Sequence, residues 1–220
     1  MTVYKKIYTL PDFDSSEILR YARVKESDSA TDRLLFECCD MLKELSGAVC
    51  FCEVPVKVCQ DGVNLDFVKV KSMGLAKNLK NCQSAVIFAA TAGAKIDRLI
   101  EKYNRIDLSR AVMLQAVGTE RVEALCDLFS RDMEIQKKQK GEFTRPRFSP
   151  GYGDLPLEIQ RDIFRVLDPF KNIGVSLCES LLMTPSKSVT AIIGVGKTPC
   201  KNLGGCEYCD KTDCNFRKEQ

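Results

Sequence analysis

Apolar and polar residues recur along this chain with two periods, and each change of period marks an element. Tyr4 to Leu10 reads as a short first strand, and Ser15 or Ser16 is placed to cap a helix running to about Arg23. From Asp28 to Leu45 the apolar positions Leu34, Leu35, Cys38, Met41, Leu42 and Leu45 fall on one face of a helix, which Gly47 is expected to stop. Ala48 to Cys59 alternates and is rich in valine. Asp61-Gly62 follows as a tight-turn pair, and Val63 to Val70 resumes, so strand, turn and strand predict a β-hairpin. Cys50 and Cys52 share a face of its first strand and read as small core residues, as does the Cys38-Cys39 pair.

Ser72 is positioned to cap a short helix, Met73 to Leu79. Ser84 to Thr91 (SAVIFAAT) is a continuous apolar run, the pattern of a central strand covered on both faces. Thr91-Ala92-Gly93 leads into a helix from about Ala94 to Tyr103, a plain connector. Asp107 caps the longest helix, to about Met133 or Gln136, with Leu108, Val112, Ala116, Val122, Leu125, Cys126, Phe129 and Met133 as its buried side. Gly118 lies inside it, where glycine costs about 1 kcal/mol against alanine, so close packing or a bend is expected. Lys137 to Lys140 reads as a solvated basic linker. Pro146, Pro150, Gly151 and Gly153 break regular structure. Leu155, Ile159, Ile163 and Val166/Leu167 then return at helical spacing, with Pro156 in the first turn and Asp168-Pro169 as the stop. Ser188 to Val195 is β-branched and reads as a strand.

Composition narrows the chemistry. A chain of 220 residues is expected to be one domain, or one domain with small appendages, and its formal charge of +3 predicts no general affinity for nucleic acid. Histidine is absent, which removes the commonest general base and metal ligand and excludes Ser-His-Asp and Cys-His sites. The N-terminal residues MTVYKKIYTLPDF hold no apolar signal core and no run is long enough to span a bilayer, so a cytoplasmic location without membrane attachment is expected. In that reducing compartment twelve cysteines point to buried thiols or metal ligands, not to a disulfide framework.

Four of those cysteines sit apart. Cys200, Cys206, Cys209 and Cys214 give C-x5-C-x2-C-x4-C in a polar stretch beginning near Thr198, so the chain divides into a domain of residues 1–197 and a metal-binding tail of residues 198–220. Four thiolates suffice for tetrahedral zinc or for a cubane cluster. Zinc prefers two C-x2-C knuckles and only one is present; the compact spacing and Gly204-Gly205 point to a [4Fe–4S] cluster, with zinc as the alternative.

One segment carries a resemblance. Arg147-Phe148-Ser149-Pro150-Gly151-Tyr152, Ile173-Gly174, Cys178-Glu179-Ser180, Met183-Thr184-Pro185 and Ser188-Val189 occur in the order of the motifs of the activation (reactivation) domain of cobalamin-dependent methionine synthase, which residues 111–195 resemble. The resemblance implies a mixed α/β (α+β) fold, a twisted antiparallel-rich sheet flanked by helices. It implies S-adenosylmethionine bound at Arg147, Ser149, Gly151 and Tyr152, with Glu123 as an acidic residue facing the ligand. It also implies a partner, a cobalamin-carrying methionine synthase or related corrinoid protein, so the chain is expected to be an activation component and not a complete enzyme. A cluster on the tail would then serve as an electron relay. A zinc- or cluster-binding interaction module that keeps the fold without S-adenosylmethionine is the alternative.

Overall fold

A computed structural model describes residues 1–199. In chain order the elements are strand β1 (Tyr4–Thr9), helices α1 (Ser15–Ala22) and α2 (Ser29–Asp40), strands β2 (Ser46–Pro55), β3 (Lys57–Cys59), β4 (Gly62–Asn64) and β5 (Lys69–Val70), and helix α3 (Met73–Asn78). Strand β6 (Cys82–Thr91), helices α4 (Lys95–Tyr103) and α5 (Leu108–Lys138), strand β7 (Phe143–Thr144), helices α6 (Ile159–Leu167) and α7 (Pro169–Ile173), and strands β8 (Ser176–Leu177), β9 (Met183–Thr184) and β10 (Ser188–Gly196) complete it.

Five strands form the main sheet in the order β1-β2-β6-β10-β7, with every neighbouring pair antiparallel. β6 lies in the middle. From Ala85 to Ala90 its sequence is continuously apolar because both faces of the sheet are covered there. On one face Cys50, Cys52, Ile87 and Ile192 pack with Leu75 and Leu79 at α3 and with Ile163 and Leu167 of α6. On the other, Val49, Phe88, Ala191 and Ile193 pack with Leu125, Cys126, Phe129 and Met133 of α5. The first half of α5 joins a separate cluster with α1, α2 and α4 through Ile18, Leu35, Ile96, Leu114 and Val117. The mixed α/β class with a helix-flanked antiparallel sheet is therefore the observed one. Burial pushes the Cys50 thiol up to about 12 and the Cys52 thiol to about 11, which keeps both protonated in the core.

Several local expectations are corrected. The predicted hairpin is split: β2 belongs to the main sheet, and the turn Gln60-Asp61 joins β3 to β4, which opens on Gly62, in a separate three-stranded sheet with β5. Pro55 is the last β2 residue paired with β6, and one more backbone bond, from the Val56 amide to Gln83 O at 3.0 Å, follows before β3 begins. Gly47 does not stop α2. It lies in β2, where an added Cβ would come within 2.6 Å of the Leu125 methyls, so it lets α5 approach the sheet. Asp14 caps α1 in place of the serines, accepting from the Ser16 and Glu17 amides. Leu108 and Val112 are exposed, because the first turns of α5 bury Ala111, Met113 and Leu114 against the neighbouring helices. Leu155 is buried but precedes α6. Lys137 is no linker residue: it is 7% exposed on α5, and its Nζ donates to both carboxylate oxygens of Glu53 at 2.7 Å. Gly118 does mark close packing, since a Cβ there would lie 2.7 Å from Ile96 Cγ2.

Candidate functional site

The free side of β10 receives β7 and the loop that follows. Thr144 pairs with Val195, and the Arg145 amide donates to Gly194 O at 2.8 Å. Further along, Phe148 and Ile192 exchange two backbone hydrogen bonds of 2.9 Å. From Arg145 to Phe148 the loop takes three residue steps where β10, from Gly194 to Ile192, takes two. The extra residue is a bulge around Pro146, a device that re-aims side chains.

The bulge sends Arg147 toward α5. Its Nη1 donates to Asp127 Oδ1 at 2.5 Å and its Nη2 to Glu123 Oε2 at 2.5 Å. Glu123 and Asp127 are four residues apart on α5 and so lie one above the other on the same face. Burial opposes the charge on Arg147, but the Cys126 thiol, Glu123 and Asp127 outweigh it, and the guanidinium is held protonated more firmly than usual.

The turn after Arg147 is held by its own backbone. Ser149 O accepts from the Tyr152 amide at 3.2 Å, and the Gly151 amide donates to Leu155 O at 2.9 Å. Gly151 takes φ 85° and Gly153 φ 55°, the left-handed region in which a Cβ is costly. Asp154 then fastens the turn to α3, accepting from Ser72 Oγ at 2.5 Å, from the Met73 amide at 2.6 Å and from the Gly74 amide at 3.1 Å. These donors hold the Asp154 carboxyl below its ordinary value, the Ser72 hydroxyl contributing most.

The segment before α1 is held on α5 by Arg121, two positions before Glu123. Arg121 is fully buried, with its charge answered by Glu120 at 2.5 Å and its remaining donors on Pro11 O at 2.6 Å and Asp12 O at 3.1 Å. The Phe13 ring stacks 4.0 Å from its guanidinium carbon. The Tyr21 phenol of α1 is raised by burial and by the nearby Glu123 charge, which places α1 beside the arginine site.

Of the residues expected at a site, Arg147 and Glu123 are in direct contact. Ser149 and Gly151 form the adjoining turn, and Tyr152 stands in it 68% exposed. Asp127 and the Glu120–Arg121 pair were not anticipated. The Glu-x-x-x-Asp spacing is the signal that points to Asp127; a buried ion pair between sequence neighbours leaves no comparable mark. Cys200, Cys206, Cys209 and Cys214 lie outside the described residues. Among the described residues no three His, Cys, Asp or Glu side chains are grouped to hold a metal ion.

Chemically, Arg147 commits two of its five N–H donors to α5 and keeps the rest, on a side chain about a quarter exposed. A guanidinium so placed fits a ligand carboxylate, and the two carboxylates beside it fit a ligand cation.

Residues 60–200 match the family described as the vitamin B12 dependent methionine synthase activation domain, and since this is more than half of the chain, the protein belongs to that family. Its fold is similar to that of a crystal structure of the MetH reactivation domain bound to AdoHcy, with a TM-score of 0.59 at 17% identity, over 88% of this chain and 78% of that one. No curated protein matches the chain in sequence.

Proposed function

We propose that this protein is an accessory component for reductive reactivation of a cobalamin-dependent methionine synthase or a related corrinoid methyltransferase. On this reading it binds S-adenosylmethionine at the Arg147 loop and docks over the cobalamin of a partner protein. Family membership supplies the class. The observation that carries the reading to this chain is the partly exposed Arg147 between Glu123 and Asp127. S-adenosylmethionine has a carboxylate, an ammonium and a sulfonium, and the donor set fits all three kinds of group: a guanidinium for the anion and two carboxylates for the cations.

When bound, S-adenosylmethionine supplies a methyl group that, together with one electron, converts cob(II)alamin to methylcobalamin and leaves S-adenosylhomocysteine. The residues of this chain hold and orient the ligand. Arg147 grips it from the sheet edge, and Ser149 and Gly151 leave room for its main-chain atoms. The rigid turn, pinned by Asp154 and the Phe148–Ile192 bridge, keeps the guanidinium in place without reorganisation. Residues 198–220 form, on this reading, an appended tail whose four cysteines bind a [4Fe–4S] cluster, or zinc as the alternative, the cluster passing the electron. Among the described residues no helix is long and apolar enough to cross a membrane.

The experiment is anaerobic mixing with a cobalamin-carrying methionine synthase module in the cob(II)alamin state. A change in the corrin absorption spectrum that saturates with added protein is the expected result. An unchanged spectrum at concentrations where the module's own activation domain acts would overturn the proposal.

A further inference from the structure

Arg145 is a buried cation with no counter-ion among the described residues. It is 7% exposed, and its side chain donates to Thr198, at 2.9 Å to the carbonyl oxygen and 3.4 Å to Oγ1. Among the described residues no carboxylate reaches it. Buried guanidinium groups are ordinarily paired with an acid, because desolvating an unanswered charge is costly. The contrast within this chain is direct, since Arg121 is equally buried and is answered by Glu120.

The position is built, not incidental. Gly194 and Gly196 lie two apart on β10, on the face toward α3, and together leave the slot in which Arg145 runs. A Cβ at Gly194 would sit 3.0 Å from Arg145 Cγ, and one at Gly196 would sit 3.3 Å from Arg145 Nη2 and 2.7 Å from Asn81 O. Beside the slot is a cavity of about 220 Å³ lined by Lys77, Asn78, Lys80, Asn81, Arg145 and Thr198. Three of these residues are cationic and none is acidic. Lys77, in the last turn of α3, complements the helix dipole, but Arg145 has no such reason to be there. Asn78 adds a second signal. Its Nδ2 donates to Pro146 O at 3.1 Å, which fixes the orientation of the amide and leaves the buried Oδ1 without a partner among the described residues. The cavity thus offers positive charge, and in its wall stands Asn78, whose Oδ1 is an acceptor that needs a donor.

We infer that this cavity, on the opposite face of the sheet from the Arg147 site, binds a phosphate group that brings a hydroxyl with it: hydrogen phosphate itself or a hydroxylated phosphate monoester. Arg145 and the two lysines take the phosphate oxygens, and the hydroxyl donates to Asn78 Oδ1. The volume accommodates the headgroup and little more; ligand pockets for whole drug-sized molecules start near about 300 Å³.

The test is calorimetry and thermal unfolding of the full chain with inorganic phosphate, glycerol phosphate and sulfate, each against chloride at matched ionic strength. Saturable binding of phosphate or glycerol phosphate, at least about fivefold tighter than sulfate, is expected. Sulfate at neutral pH has no hydroxyl for Asn78. Glycerol phosphate binding more tightly than inorganic phosphate assigns the site to an ester, and the reverse assigns it to the free ion. Arg145→Gln should abolish binding. Because that variant also disturbs packing, Lys80→Gln and Lys77→Gln/Lys80→Gln, both at the surface, are the decisive pair: each lost charge should weaken binding about fivefold. No saturable binding, equal response to sulfate, or full binding by the double lysine variant overturns the inference.

Discussion

Arg145 and Arg147 are two residues apart and work on opposite faces of the sheet. Arg145 reaches Thr198 on the α3 side, whereas Arg147 reaches Glu123 and Asp127 on the α5 side. In a regular strand residues i and i+2 share a face, and the bulge at Pro146 is what separates them. The two substitutions should therefore fail in different ways. Arg145→Ala removes a buried side chain and its hydrogen bonds and should cost about 1.5–3 kcal/mol in chemical denaturation. It should leave S-adenosylmethionine binding per folded molecule unchanged.

Asp127 occupies a donor of Arg147 that a ligand carboxylate would compete for. Its side chain is 65% exposed, so the pair contributes at most about 1 kcal/mol to stability. Asp127→Asn should leave the melting temperature within about 4 °C of the parent. It should also tighten S-adenosylmethionine binding by up to about fivefold, as one internal competitor is removed. Weaker binding in this variant would instead make Asp127 a ligand contact.

Asp154 couples the loop to α3, and its carboxyl is held below the ordinary value by the Ser72 hydroxyl and the Met73 and Gly74 amides. A carboxyl depressed in the folded state stabilises the fold above its unfolded value, near about 4, and that contribution is lost as the pH falls below it. Asp154→Asn should cost about 1 kcal/mol at neutral pH, as other lost caps do. It should also flatten the acid limb of the stability curve, measured by urea denaturation from pH 6 down to about 3.

The tail assignment has its own test. Cys206→Ser/Cys209→Ser should abolish bound iron, or zinc, in anaerobically purified protein, whereas Cys178→Ser, at an exposed site within the folded domain, should leave it intact. Visible absorbance that bleaches on reduction identifies a cluster; a colourless, zinc-containing protein identifies the alternative. Metal content that survives the double change contradicts the assignment.

Much of this architecture was legible in the residues because it is local or strongly periodic. The SAVIFAAT run is the best candidate for a central strand and forms one, and Asp107 and Ser72 cap the helices they precede. What could not be read depends on distant partners. Gly47 resembles a helix stop until Leu125, 78 positions on, is brought against it. Lys137 looks solvated until Glu53 meets it from β2, and Leu108 and Val112 look buried because the apolar stripe of α5 is wider than the helices that cover it. At the site, Arg147 and Glu123 were marked by family resemblance and are in contact. The bulge that aims Arg147, and the place of Arg145 away from any carboxylate of the described residues, emerge only from pairing with β10.

The most direct measurement is the affinity of S-adenosylmethionine for the parent chain, Arg147→Ala and Arg147→Lys, by calorimetry. A charge-assisted contact of this kind contributes about 1.5–3 kcal/mol, so Arg147→Ala should weaken binding roughly 10- to 150-fold. Arg147→Lys should lose most of the same amount, because a point charge cannot reproduce the planar fork of donors. Equal binding by the parent and Arg147→Ala, or no binding by either, would contradict the account and leave the Arg147 loop as architecture without a ligand.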